Sequence, residues 1–242
     1  MSLSDKVLAA ETLLAEVAEN FSPAAFASSF GAEDVVLTDL IARRFPGIEI
    51  FTLDTGRLPE ATHALMRELA DRYELPIRIY YPDASELEGY LAAHGPNAFF
   101  DSIELRKACC GIRKVNPLRR ALAGKRAWIT GLRREQSPTR AGIGARELDG
   151  EHGLQKSNPL FDWTRNDVWA YIRGNALPYN ALHDQGYASI GCAPCTRAIT
   201  VGEDERAGRW WWENPETKEC GLHPAKRATA DTRRAKLDEV PS

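Results

Sequence analysis

With 242 residues, 43% of them hydrophobic and 27% charged, the chain can bury a sizeable core in one large domain, or in one domain plus an appendage. A formal net charge of −3 gives no global basicity for nucleic acid, and no apolar run approaches the ~20 residues of a membrane span. The count of five cysteines is odd, and the opening MSLSDKVLAAETLLAEVAENF has neither a basic n-region nor a cleavage site. Secretion and a disulfide framework are therefore disfavoured, and metal ligation or thiol chemistry in a reducing cytoplasm is expected.

The opening stretch has the spacing of an amphipathic helix. Beyond it, residue types alternate. AAFASSF (24–30) is predicted as a strand and AEDVVLTDLIARRF (32–45) as a helix. IEIFTLD (48–54) reads as a strand, PEATHALMRELADRY (59–73) as a helix, IRIYYPD (77–83) as a strand and SELEGYLAAH (85–94) as a helix. RAWITG (126–131) is a further strand and WTRNDVWAYIRGN (163–175) a further helix. Strand, helix, strand at this spacing predicts βαβ units, hence a mostly parallel sheet with helices on both faces. After about residue 200 the periodicity fades. The expected organisation is an α/β domain over 1–205 and a C-terminal tail over 206–242, mobile or ordered only against a ligand. In parallel sheets ligands sit at the carboxyl ends of strands. Three such ends carry unusual loops, SSFGAED, LDTGRLPE and GLRREQSPTR. The first is not a GxxxxGK[ST] phosphate loop, because it has no lysine and Glu33 and Asp34 follow Gly31.

Four of the cysteines come in two doublets, Cys109–Cys110 in RKACCGIRK and Cys192–Cys195 in GCAPCTR. A C-x-x-C pair clamps a soft metal or a cluster. Adjacent cysteines diverge, which is awkward around one tetrahedral zinc and easier at two iron corners of a [4Fe–4S] cube. An iron–sulfur cluster is the preferred reading, with zinc or buried apolar thiols as alternatives. Arg106, Lys107, Arg113 and Lys114 flank the first doublet and Arg197 follows the second. Such cations lower the cost of an anionic cluster, although a charge run is more commonly a solvated face. On a helix Lys114 would share a face with Cys110, four residues earlier.

The fifth cysteine stands alone in KECGLH. Lys218 and His223 bracket Cys220, with Arg206 and Arg209 upstream. Cations favour the thiolate, the reactive form, and can also hold an anionic substrate. The plain alternatives are an incidental surface thiol, a surface histidine, and a WWW run at 210–212 that only buries its rings.

SSFGAEDVVL, FTLDTGRL, KACCGIRK, GLRREQS, GCAPCTR, GRWWWE and KECGLH occur in this order. Together they resemble the assimilatory adenylyl-sulfate (APS) reductases of the phosphoadenylyl-sulfate (PAPS) reductase family, from about residue 25 to 225. The resemblance implies a Rossmann-like fold of the adenine nucleotide alpha hydrolase, or PP-loop, type. ATP-cleaving relatives carry SGGKDS where this chain has FGAEDV, so Gly31 and Asp34 match and Glu33 replaces the lysine. That departure fits a nucleotide that arrives already activated. The resemblance further implies one [4Fe–4S] cluster per subunit on Cys109, Cys110, Cys192 and Cys195, with Cys220 as nucleophile and His223 beside it. APS would be held by Ser28, Gly31, Leu53, Thr55, Gly56, Lys114, Gly131, Arg133, Arg206 and Arg209. Reduced thioredoxin would be the electron donor, and the role would lie in cytoplasmic sulfate assimilation and cysteine biosynthesis.

Three rivals stand beside this reading. A PAPS reductase, or a dual APS/PAPS enzyme, runs the same chemistry, but PAPS-specific relatives typically lack both cysteine doublets. A tRNA-thiolating PP-loop enzyme with a cluster would need an intact SGGKDS-type loop and a basic RNA surface. A zinc-stabilised binding module would be colourless. Whether copies associate into a homo-oligomer is not written in the sequence.

Overall fold

The computed structural model of the protein describes residues 1–214 together with Lys218 and Leu222. Helix α1 (Leu3–Asn20) leads into β1 (Ala24–Ala27), α2 (Ala32–Arg44), β2 (Glu49–Leu53), α3 (Glu60–Tyr73), β3 (Arg78–Tyr80) and α4 (Ala84–His94). Helix α5 (Ile103–Cys110) runs through one wide π-helical turn, Gly111–Val115, into α6 (Asn116–Leu122) and then β4 (Ala127–Ile129). A hairpin of β5 (Arg146–Asp149) and β6 (Leu154–Ser157) precedes α7 (Arg165–Gly174). The sheet order is β3-β2-β1-β4-β6-β5, parallel throughout except for the β5–β6 pair. No described helix is long and apolar enough to cross a membrane.

Alternation along the strands builds two cores. Phe26 pairs in register with Ile50 and with Ile129, and all three join the larger core with residues of α1, α2, α3 and α7. Their neighbours Ala25, Phe51 and Trp128 point the other way and pack on Leu118, Ala121 and Leu122 of α6. A third, small cluster joins Phe99 and Trp210 to Cys110, Cys192 and Cys195.

The α/β architecture expected from the sequence is the one observed. Strand ends are shorter than the apolar runs suggest. The first run, expected to reach residue 30, leaves the sheet after Ala27, because Phe30 adopts φ 58° and Gly31 caps α2. The β5–β6 hairpin and the α5–α6 segment have no counterpart in the sequence reading. Beyond residue 200 the expected mobile tail needs correction up to residue 214. Trp210 is 1% exposed, its amide donates to Cys195 O at 3.2 Å, and Arg106 clamps Glu213 with two bonds of 2.7 and 2.8 Å. A buried indole and a buried ion pair fix this stretch to the body despite its polar composition.

Candidate active site

Strand order reverses at β1, whose neighbours are β2 on one side and β4 on the other. Chains leaving these three strands diverge, and a crevice opens between them. A cavity of about 210 Å³ lies there. Its wall includes Ser28 and Gly31 after β1, Leu53 at the end of β2 and Thr55 beyond it, and Gly131 after β4. Lys114, Arg206 and Arg209 also line it, so eight of the ten predicted substrate-binding residues meet at one place. Apolar surface comes from Phe51, Leu118 and Trp128.

The two others do not line the cavity. Arg133 is fully buried and ion-paired with Glu33 at 2.7 Å, Glu135 at 3.2 Å and Glu205 at 3.0 Å. Its charge is met by two acids of the wall, Glu33 and Glu205. Burial pushes Glu33 up, but Arg133 outweighs it and holds this carboxyl below its ordinary value. For Glu205 burial, aided by Glu33, prevails and the shift is upward. Gly56 makes the turn behind the wall. It has φ 69° and donates its amide to Asp54 Oδ1 at 2.8 Å.

Sequence reasoning named Asp34 only as a matched position, yet it is a strongly perturbed acid of the wall. Its Oδ2 accepts from Ser29 N at 2.6 Å and Ser29 Oγ at 2.7 Å. Burial overrides these bonds and pushes the carboxyl up to about 7. Any Cβ at position 131 would collide with Asp34 Oδ1, which is why glycine follows β4 there. Gln136 and Arg140 also reach the wall and were missed. Both belong to the GLRREQSPTR loop, so its position at a strand end was their signal. Glu205 had none.

A second, smaller cavity adjoins the first. Cys109, Cys110, Cys192 and Cys195 line it together with Arg57, Arg106, Arg113 and Lys114. All four thiols are free of disulfides, and three are buried. Among the described residues no three His, Cys, Asp or Glu side chains converge as ligands of a single metal ion. The π-helical turn after Cys110 widens the helix by one residue per bond, Asn116 N donating to Gly111 O. It carries Arg113 and Lys114, and both side chains line the cysteine cavity. The expected shared face of Cys110 and Lys114 is thus reached through a wider turn than an α-helix.

The two cavities are stitched together by the LDTGR loop. Thr55 lines the first, and its Oγ1 lies 3.3 Å from Cys192 Sγ. Arg113 donates to Thr55 O at 2.5 Å, and Ala193 N to Arg57 O at 2.8 Å. Burial pushes the Cys192 thiol up, but Lys114, the Thr55 hydroxyl and the arginines outweigh it and favour the thiolate. Lys114 lines both cavities. Arg209 sits against Gly191, where a Cβ would strike its guanidinium, and its ring neighbour is Trp210 at 4.8 Å. Cys220 and His223 lie outside the described residues. Leu222 lines the larger cavity, and Arg206 Nη2 donates to Lys218 O at 3.0 Å.

A mostly parallel sheet with a cation-lined cavity at its switch point, beside a chamber lined by four thiols, defines an α/β protein of the nucleotide-binding architecture. The phosphoadenosine phosphosulfate reductase domain matches residues 23–198. Adenosine 5'-phosphosulfate reductase of Allochromatium vinosum is 56% identical over 92% of this chain and 87% of that protein. The enzyme of the same name from Burkholderia cepacia is 52% identical over 91% and 88%. The crystal structure of phosphoadenylyl-sulfate reductase from Candida auris superposes with a TM-score of 0.67 at 30% identity, covering 78% of this chain and 90% of that one. The chain belongs to this family of sulfonucleotide reductases.

Proposed function

We propose that the protein reduces adenylyl sulfate to sulfite and AMP through a Cys220 S-sulfonate, with reduced thioredoxin as electron donor. The observation that carries this reading is Lys114, which among the described residues is the lysine common to the walls of the ligand cavity and the cysteine cavity. Apolar surface from Phe51, Leu53 and Trp128 suits a nucleobase, and the Gly31 and Gly131 turns let backbone approach a ribose phosphate. Lys114, Arg206 and Arg209 suit the sulfate and phosphate charges.

In the first step the Cys220 thiolate attacks the sulfur of the substrate. The S–O bond to the phosphate breaks and AMP leaves with its electron pair. The cations stabilise charge spreading over the sulfuryl oxygens and the leaving phosphate, so the site needs fixed positive charge more than a base. His223 is assigned to the neighbourhood of the nucleophile. In the second step a thioredoxin thiolate attacks Cys220 Sγ and sulfite departs with the bonding pair. The second thioredoxin thiol resolves the mixed disulfide, so the two electrons come from thiols.

The four thiols form no disulfide and line one cavity together with four cationic side chains. That donor set fits a thiolate-ligated iron–sulfur cluster held by Cys109, Cys110, Cys192 and Cys195. When bound, a [4Fe–4S] cluster would supply a compact fixed charge that holds the cysteine-bearing segments, and Lys114 with them, at the cavity wall. Iron content and absorption near 400 nm separate it from zinc.

The test is intact-mass spectrometry of anaerobically purified protein mixed with APS and no thioredoxin. A gain of about 80 Da on Cys220, erased by reduced thioredoxin with release of sulfite, is expected. Absence of an adduct on iron-replete protein removes Cys220 as the acceptor. The same experiment with PAPS measures how strictly a 3′-phosphate is refused.

A further inference from the structure

Arg209 is 7% exposed, and its guanidinium lies against bare backbone. A Cβ at position 191 would come within 2.2 Å of Arg209 Nη2 and 2.5 Å of its Cζ. Gly191 is not among the glycines with positive φ, so the approach of the guanidinium, and not the backbone conformation, is what requires glycine there. The Trp210 ring centroid lies 4.8 Å from the guanidinium carbon, and Arg209 Nη1 donates to Ser189 Oγ at 3.4 Å. The two chain segments that form this seat are joined through backbone. Thr196 and Arg209 make an antiparallel bridge, and Trp210 N donates to Cys195 O at 3.2 Å. Gly191 N in turn donates to Thr196 Oγ1 at 3.2 Å. Ser189, Gly191, Arg209 and Trp210 all line the ligand cavity, so the seat opens onto it.

We propose that Gly191 is a positioning residue: its missing side chain leaves a slot that seats the Arg209 guanidinium to meet the anionic end of a nucleotide in the cavity. The inference rests on the proposed reading of that cavity as a site for adenylyl sulfate. A long arginine side chain loses rotamer freedom whenever a ligand orders it. Here the planar group is already confined by Gly191, Trp210 and Ser189, so the ordering is complete before the ligand arrives. A methyl group at position 191 would push the guanidinium by about 1 Å to reach ordinary contact, and a misplacement of that size can cost about 10²-fold. The displaced atoms are the end of a flexible side chain. The fold therefore accommodates the methyl, and the loss falls on the ligand. Gly191 immediately precedes Cys192, so the slot ties a cation of the ligand cavity to the cysteine chamber by a route separate from Lys114.

The experiment is a double-mutant cycle of wild type, Gly191→Ala, Arg209→Lys and the combined variant, all as iron-replete, anaerobically purified proteins. AMP affinity is measured by calorimetry, and single-turnover S-sulfonation by APS is followed by intact mass. Lysine ends in a compact ammonium with no planar fork, so it does not need the slot. Gly191→Ala is expected to weaken AMP binding about tenfold and to slow S-sulfonation by at least that factor, with far-UV circular dichroism and iron content unchanged. In the Arg209→Lys background the same alanine is expected to change both within about twofold. Wild-type AMP affinity in Gly191→Ala overturns the slot, as do equal losses in the two backgrounds. Loss of iron from Gly191→Ala also overturns it, by making Gly191 a support of the cysteine segment. A wild type that binds AMP and forms no adduct removes the reductase reading instead. The AMP cycle then decides the slot by itself, with non-additive losses upholding it and additive losses ending it.

Discussion

A lysine ammonium shared by two cavities is sensitive to the charge in each. Lys114 favours the thiolate at Cys192 and lines the space assigned to the sulfate group. Lys114→Ala is expected to slow S-sulfonation by about 10²-fold, the cost of removing one preorganised electrostatic donor. Iron content should change little, since Lys114 supplies no thiolate. Loss of iron with full activity in the surviving fraction would refute the assignment. Asp34 offers a test through pH. Burial raises its carboxyl from an ordinary 3.8 to about 7, so the folded state prefers it protonated. A raised folded pKa means that this contribution to stability is complete below about pH 4 and is lost as pH rises through about 7. Asp34→Asn keeps the shape and removes the titration. Relative to wild type, the melting temperature of the variant should rise between about pH 5 and pH 8, by an amount worth a few kcal/mol at most. A difference that does not vary with pH would sink the account.

At the scale of elements, the π-helical turn Gly111–Val115 carries the argument, because it joins a cysteine-bearing helix to one that packs the sheet. Deleting Gly111 would restore an α-helical count and rotate the Cys109–Cys110 pair by about 100° relative to α6. The expected variant keeps its far-UV circular dichroism and loses most of its iron. Wild-type iron content would show that the wide turn is not needed. Nothing in LRKACCGIRKVNPL announces such a turn. The strands that build the crevice were legible because Phe26, Ile50 and Trp128 fall in short apolar runs between turn residues. The β5–β6 hairpin was not, since RELD and LQKS bury little apolar surface and Leu148 is exposed at the sheet edge. The cavity loops were legible by position, and eight predicted residues met there. The ion pairs of Arg106 and Arg133 were not legible: both arginines are 0% exposed and are met by acids such as Glu213 and Glu205 that are far away in sequence. Periodicity cannot report a partner more than 70 positions off.

Across the whole molecule, the two halves of the site rest on different cores. The strand ends that line the ligand cavity are held by the two large apolar clusters, to which the described cysteines do not belong. The cysteine chamber is held by a small cluster around Phe99 and Trp210 and by the Arg106–Glu213 pair, with side-chain exposures of 0% and 3%. Metal removal should therefore separate binding from chemistry. Chelation under reducing conditions would leave four thiols beside Arg57, Arg106, Arg113 and Lys114, three of those thiols being already buried. The sheet has no reason to unfold, so far-UV circular dichroism should persist and AMP should bind within about tenfold of its original affinity. S-sulfonation should fall by far more, because the LDTGR loop and Lys114 are positioned through the cysteine segments. Thr55 contacts Cys192 Sγ, and Arg57 O holds the Ala193 amide. Equal losses of AMP binding and of adduct formation would mean that the two cavities fold as one unit and that the division drawn from the cores is wrong. A retained rate in fully iron-free protein would mean that the chain's own cations are sufficient, and that the cysteine chamber serves something other than this reaction.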